Sequence, residues 1–203
     1  MKIAVIGGDG QLGSDIVNDL TSNSIEHIVL TEREIDITNK DSVKRALDNI
    51  DFEIIINSAA YTNVQDCEIN EQLAFNVNSI GAKYLAEYVE KHGKTICHIS
   101  TDYVFDGKKG RPYDENDFPS PLNVYGLSKL AGEILLQNYC SKSIIIRTAG
   151  LYGLHQNKTK KYNFVDLMLQ KAKNNEKIRV VNNEYVTTTY TVDLSRQIIH
   201  LLK

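Results

Sequence analysis

Two residues of this chain stand at a spacing that could move a proton: Tyr125 and Lys129, inside the run PLNVYGLSKLAGE at 121–133. Four positions apart, they share one helix face a turn from each other. A free phenol titrates at about pH 10, too weak an acid for proton work near neutrality. A fixed ammonium beside it favours the phenolate and lowers that value, which makes the pair a usable acid/base. The spacing alone carries little weight. Eleven tyrosines and seventeen lysines in 203 residues give about one such pair by accident. It is nonetheless the only Tyr-x-x-x-Lys in the chain, and its meaning depends on the elements that would position it.

The first of these is at the N-terminus. Ile3-Ala4-Val5-Ile6 is a short apolar, β-branched run ending at glycines, the pattern of a buried strand. Then come Gly7-Gly8-Asp9-Gly10-Gln11-Leu12-Gly13 and a stretch from Ser14 to Leu20 with Ile16, Val17 and Leu20 at helical spacing. Strand, glycine loop and helix start form a dinucleotide-binding arrangement. Glycine lets the backbone approach a pyrophosphate, and the helix N-terminus offers free N–H groups. Two registers fit, Gly7-x-x-Gly10-x-x-Gly13 and Gly8-x-Gly10-x-x-Gly13; the plain alternative is a tight turn without a ligand. His27-Ile28-Val29-Leu30 is a second strand. At its end Glu32, nineteen residues past Gly13, suits a free ribose 2′-hydroxyl, while the adjacent Arg33 suits a 2′-phosphate. NADH and NADPH both stay open.

Further on, Asp36-Ile37-Thr38 leads to a helix around 40–49, and 53–57 is a third strand followed by the small-residue loop Ser58-Ala59-Ala60-Tyr61. That loop would let a cofactor lie flat on the backbone, or serve as a packing turn. Residues 70–91 have one long apolar helical stripe. Strand four, 94–100, contains His98, read as a hydrogen-bonded structural histidine, and delivers Ser100-Thr101-Asp102 to its carboxyl end, where open α/β sheets place their chemistry. A polar loop at 107–121 holds all three prolines and precedes the helix of Tyr125 and Lys129. Strand five at 143–147, a helix at 164–172, a sixth short strand at 177–181 and a terminal helix at 192–202 complete the pattern. Strands alternating with helices predict an α/β fold, a Rossmann-type doubly wound parallel sheet, with residues 1–203 forming a single NAD(P)-binding domain.

Bulk properties narrow the function. Hydrophobic content of 42%, charged content of 24%, a net charge of −3 and a pI near 6.0 are those of a globular protein with no electrostatic bias toward nucleic acid or an anionic membrane. Lys158-Thr159-Lys160-Lys161, the one dense basic cluster, reads as a solvated loop before a phosphate contact. Three scattered cysteines and five scattered histidines give neither a disulfide framework nor a metal site. A reduced cytoplasm, no membrane and no metal are expected.

Together the stretches GGDGQLG at 7–13, DIT at 36–38, NSAAYT at 57–62, STDYVFDG at 100–107, PLNVYGLSKLAGE at 121–133 and RTAGLYG at 147–153 resemble the dTDP-4-dehydrorhamnose reductase family of the extended short-chain dehydrogenase/reductase superfamily. They occur in family order across nearly the whole chain. The resemblance implies hydride transfer from NAD(P)H to C4 of a 4-keto-deoxysugar nucleotide. Carried over by position, Thr101, Tyr125 and Lys129 are catalytic: Thr101 bonds the carbonyl oxygen, Tyr125 protonates it, and Lys129 holds the nicotinamide ribose. Gly7, Gly10, Gln11, Leu12, Gly13, Asp36, Ile37, Ala59, Ala60 and Tyr61, with Tyr125 and Lys129, take the cofactor. Thr101, Asp102, Tyr103 and Val104 face the sugar, and Asn78 matches a helix Asn that supports a proton-relay water. Four features depart from the family pattern, the first being Glu32 where an Arg after strand two is common, which leans against NADPH. Gly150 stands where a Trp is usual, residues 183–189 keep only Thr189 of a later motif, and the C-terminal substrate-binding region is expected to be short or largely absent. A homodimer is left open. The alternatives implied are a non-catalytic dinucleotide-binding subunit resembling the β subunit of methionine adenosyltransferase, and a sugar-nucleotide epimerase or dehydratase.

Overall fold

Five parallel strands, β1 (Lys2–Ile6), β2 (Glu26–Leu30), β3 (Ile54–Asn57), β4 (Thr95–Thr101) and β5 (Ser143–Thr148), form one sheet in the order β2-β1-β3-β4-β5. The computed structural model describes residues 1–155, 163–182 and 186–203. Ile3, Ala4, Val5 and Ile6 of β1 are all buried, as a central parallel strand covered on both faces requires. Alternation divides them. Ala4 and Ile6 pack with Ile55, Ile96, Leu85 and Val89 on one side, and Ile3 and Val5 with Leu12, Ile16, Leu20 and Ile198 on the other. The doubly wound Rossmann-type sheet expected from the sequence is therefore present. The order reverses at β1, so the carboxyl ends of β1 and β3 open a crevice between them.

The first face carries α2 (Lys40–Asp48), α5 (Ala82–Lys91) and α6 (Val124–Tyr139); the second carries α1 (Gln11–Ser22) and α8 (Thr191–Leu201). Asparagines start several of these helices. The Asn39 side chain accepts from the Asp41 and Ser42 amides, and that of Asn123 from the Gly126 amide at 2.7 Å.

Three expectations change. The stripe at 70–91 is not one helix: α4 (Glu71–Phe75) passes through a π-turn at Asn76–Gly81 into α5, and a short α3 (Val64–Ile69) precedes it. The extra residue of a π-turn re-aims side chains, and here it brings Asn78 inward. Residues 177–181 form no strand; Ile178, Val180 and Val181 are exposed, and no partner strand lies beside them among the described residues. A separate two-stranded parallel ribbon pairs β6 (Gly150–Tyr152) with β7 (Thr188–Tyr190) instead. Between them, α7 (Phe164–Lys173) has no fully buried residue. The basic cluster at 158–161 and residues 183–185 lie outside the described residues. Among the described residues no helix is long and apolar enough to cross a membrane.

Candidate active site

The glycine loop closes the end of β1. Gly7 has φ +72°, and a side chain there would meet the Ala59 amide at 2.8 Å; one at Gly13 would strike the Gly7 carbonyl at 2.1 Å. Both positions exclude any larger residue, because two loops and a helix converge on this point. Ser58 Oγ ties the loops further, donating to the carbonyls of Ile6 at 2.8 Å and Gly7 at 3.2 Å. The N-terminus of α1 is left available for an anion. Gly10 offers no side-chain cap, the first turn has no acidic residue, and the buried Gln11 Nε2 has no hydrogen-bond partner. These are the features a pyrophosphate would satisfy, and the residues present fit a dinucleotide.

The other predicted cofactor positions divide. Ala59, Ala60 and Tyr61 line the β3 exit, half-buried. The Asp36 carboxylate is exposed and accepts from the Thr38 amide at 2.9 Å and hydroxyl at 2.7 Å. Leu12 and Ile37 are core residues, the latter against Gly81, so they can offer a cofactor backbone rather than side chains. Glu32 and Arg33 are both exposed past β2.

Chemistry concentrates at the end of β4. Thr101 Oγ1 accepts from the Tyr103 amide at 3.2 Å, donates to Asp102 Oδ1 at 3.2 Å and stands beside the Tyr125 phenol. Burial pushes that phenol up to about 12; the Thr101 hydroxyl opposes the rise, and the Asp102 carboxylate adds to it. Burial raises the Asp102 carboxyl as well. Tyr103 packs edge-on against the Tyr125 ring, centroids 5.6 Å apart, leaving itself 44% exposed toward the open side. Val104 does not fit the sugar-facing role expected of it. Its side chain is fully buried and its carbonyl accepts from the Ser120 amide at 2.8 Å, since the short 3-10 turn at Asp102–Val104 directs it into the core.

Lys129 is 1% exposed, and burial lowers its pKa to about 8, with the Glu133 carboxylate pulling upward. Its Nζ donates to the Ile99 carbonyl at 2.6 Å and lies 3.1 Å from His98 Nε2. Here the sequence expectation is corrected. Lys129 does not lower the Tyr125 phenol in the free chain, because its ammonium is turned onto β4 and the tyrosine is dominated by burial.

Sequence reasoning gives no role to Glu133, Arg147 or Asn57 around this set, while Asn78 and His98 are named. Glu133 forms a bidentate ion pair with Arg147, the closest contact 2.7 Å, and takes the Ser100 hydroxyl in a short hydrogen bond. Asn78 uses its amide on protein. Oδ1 accepts from the Tyr61 amide at 2.8 Å, while Nδ2 donates to the Tyr61 carbonyl at 3.1 Å and to Ser128 Oγ at 3.0 Å. It thereby clamps the loop after β3 to the helix between Tyr125 and Lys129. Asn57 and His98 pair in register across β3 and β4; a polar residue at that depth in two adjacent parallel strands was the available signal. Gly150, where a Trp was expected, is exposed with no atom within 4 Å of a side-chain position. No group of three or more His, Cys, Asp or Glu among the described residues is placed to hold a metal ion.

Comparison with known proteins identifies the family. Residues 1–203 match the family of the RmlD substrate binding domain. A dTDP-4-dehydrorhamnose reductase of Aggregatibacter actinomycetemcomitans is 41% identical over 98% of this chain and 67% of its own length. The crystal structure of a dTDP-4-dehydrorhamnose reductase from Clostridium acetobutylicum superposes with TM-score 0.92 at 37% identity, covering 100% of this chain and 70% of that one. The Bacillus anthracis dTDP-4-dehydrorhamnose reductase in complex with NADP gives 0.93 at 36% identity, covering 99% and 70%. The present chain thus spans about two thirds of the length of these relatives. It belongs to the RmlD substrate binding domain family, the family of the dTDP-4-dehydrorhamnose reductases.

Proposed function

We propose that the chain reduces the 4-keto group of a dTDP-deoxysugar with NAD(P)H, converting dTDP-4-dehydro-L-rhamnose to dTDP-L-rhamnose, with Thr101, Tyr125 and Lys129 as the catalytic set. What carries this assignment is the placement of the buried Tyr125 phenol beside Thr101 at the carboxyl end of β4, next to the crevice that fits a dinucleotide. The bound nicotinamide supplies the hydride. Thr101 and Tyr125 present two hydroxyls to one point, the place a carbonyl oxygen would occupy. Tyr125, protonated throughout the neutral range, donates to that oxygen as negative charge develops on it. The ammonium of Lys129 holds the ribose and adds positive charge behind the phenol. Asp102 and Tyr103 border the sugar, and Asn78 fixes the loop on which the middle of the cofactor lies.

Residues 1–203 act as one dinucleotide-binding domain in this proposal, working in the cytoplasm, with a homodimer left open. Both NADH and NADPH suit the chain as read; the Bacillus anthracis relative holds NADP, and Arg33 stands beside Glu32 to accept a 2′-phosphate. The test is NADPH and NADH oxidation by the purified chain with dTDP-4-dehydro-L-rhamnose. Turnover supports the assignment. Tight cofactor binding without turnover favours a regulatory subunit, a reading to which the open surface at Gly150 lends weight; cofactor that copurifies and recycles favours an epimerase or dehydratase.

A further inference from the structure

Behind Lys129 lies a line of buried polar groups that the proposed reaction does not by itself require. Asn57, His98 and Lys129 are each 1% exposed. The Ala59 amide donates to Asn57 Oδ1 at 3.2 Å, Asn57 Nδ2 is 3.0 Å from His98 Nδ1, and His98 Nε2 is 3.1 Å from Lys129 Nζ. The order of atoms fixes the order of protons. With Oδ1 committed to Ala59, Asn57 presents its NH2 to the imidazole, so Nδ1 accepts and the single ring proton of neutral His98 resides on Nε2. Burial holds His98 neutral, well below its usual range.

An N–H directed at an ammonium is repulsive, whereas the same N–H directed at a neutral amine is a hydrogen bond. The arrangement as it stands therefore favours uncharged Lys129, accepting from His98 and donating to the Ile99 carbonyl. For Nζ to carry a third proton and keep its contact, the ring proton must reside on Nδ1. The Asn57 amide must then turn its oxygen to the ring and release the Ala59 N–H. Ala59 belongs to the loop that the cofactor is expected to cover. From this geometry we infer that Asn57 and His98 are positioning residues which couple the charge of Lys129 to the hydrogen bonding of the cofactor loop at Ala59. The other charged group facing Lys129 is Glu133 on its own helix, with Arg147 on β5 across it. Neither touches Asn57 or His98 among the described contacts.

This inference rests on Lys129 contacting the cofactor, not on the identity of the sugar, and its test is read on binding. The Kd of NADPH is measured against pH by fluorescence titration for the whole chain, together with His98→Leu, His98→Gln, Asn57→Leu and the double variant Asn57→Leu/His98→Leu. Affinity falls with rising pH as Lys129 loses its proton. His98→Leu removes the N–H that stabilises the neutral amine, so the onset of that fall moves up by about one pH unit. His98→Gln, whose side-chain carbonyl oxygen accepts from the ammonium, moves the onset up as well. Asn57→Leu shifts the onset as well, and the double variant shifts it no further than the larger single change, since the two residues act in series. Circular dichroism at each pH confirms a folded chain. An onset unmoved in folded His98→Leu, or additive shifts in the double variant, overturns the inference. Absence of sugar reduction by wild type overturns the proposed activity and leaves this test standing.

Discussion

Replacing Tyr125 by Phe removes one oxygen and leaves the rest of the site in place, which makes the expected losses separable. The ring keeps its edge contact with Tyr103, and the asparagine cap and glycine contacts of α6 are untouched. Any stability lost with one hydroxyl is small, on the order of the 0.5–1.5 kcal/mol of a single hydrogen bond; for a chain of this size each kcal/mol lowers Tm by about 2–4 °C. Catalysis loses much more. A positioned general acid contributes about 10²–10⁴ in rate, or about 3–5.5 kcal/mol of barrier. Thr101 can still bond the carbonyl oxygen, but the phenol placed beside it is gone. The assay is NADPH oxidation at saturating sugar nucleotide, with cofactor Kd measured separately. kcat falls at least 10²-fold while Kd changes by less than about threefold. The phenol, pushed up to about 12, contributes no ionisation to the wild-type profile of kcat/KM below about pH 10. Lys129, lowered to about 8, places an alkaline decline there instead. A Tyr125→Phe enzyme within threefold of wild type in kcat refutes the assignment of the proton donor.

Three further outcomes follow from the buried ionisable groups. The folded pKa of Lys129, about 8 against an ordinary 10.5, means that the unfolded chain binds more protons between those values. Stability thus rises with pH across that window and is lost on descending it, by about 3 kcal/mol in all. Lys129→Met should accordingly unfold at higher urea at pH 7, by about 1–3 kcal/mol after the lost bond to Ile99, while losing turnover. His98 is held below its ordinary 6.5, so its neutral form stabilises the fold above that pH and the stabilisation fades as pH drops through it. Urea midpoints between pH 7 and 5 should decline less steeply in His98→Leu than in wild type, and equal slopes would remove His98 from the account. Glu133→Leu strands Arg147 and Ser100 together at the base of the site. A loss of about 3 kcal/mol is expected, measured by chemical denaturation, and a change below 1 kcal/mol contradicts a buried, fully engaged carboxylate.

Much of this architecture is visible in sequence because its local and global signals agree. The apolar run at Ile3–Ile6 followed by glycines could hardly be other than a central strand entering a dinucleotide loop, and Thr101 had to lie at a strand end once β4 was placed. What stayed hidden depended on neighbours distant in the chain. The run at 177–181 has strand composition, yet a strand exists only where an edge is free to pair, and Thr188–Tyr190 takes the edge beside Gly150–Tyr152. The break at Asn76–Gly81 is equally invisible in an apolar stripe that continues through it. It becomes intelligible only when Asn78 is seen holding Tyr61 and Ser128. Val104 reads as a surface residue in a motif and is fully buried in the fold, because motif adjacency does not tell which way a short turn points its side chains.

The helix that carries Tyr125 shows why the catalytic set is so closely specified. Its buried residues are Gly126, Ser128, Lys129, Gly132, Glu133 and Leu136; only the last is a large apolar side chain. Apolar burial alone would leave the rotation of such a helix poorly determined, since area is indifferent to small changes of angle. Here backbone approaches backbone instead. A side chain at Gly126 would lie 2.2 Å from the Tyr103 carbonyl, and one at Gly132 would lie 2.2 Å from that of Asn78. Between these contacts Ser128, Lys129 and Glu133 each meet a directional partner on a different element: Asn78 in the π-turn, Ile99 on β4 and Arg147 on β5. Turning α6 by a fraction of a turn would leave a buried lysine and a buried glutamate without partners, at several kcal/mol each. Sliding it would drive a carbonyl into a glycine. The same contacts that would be poor sources of net stability therefore fix Tyr125 against Thr101, and a helix packed by leucines in their place would be held more strongly but aimed less well.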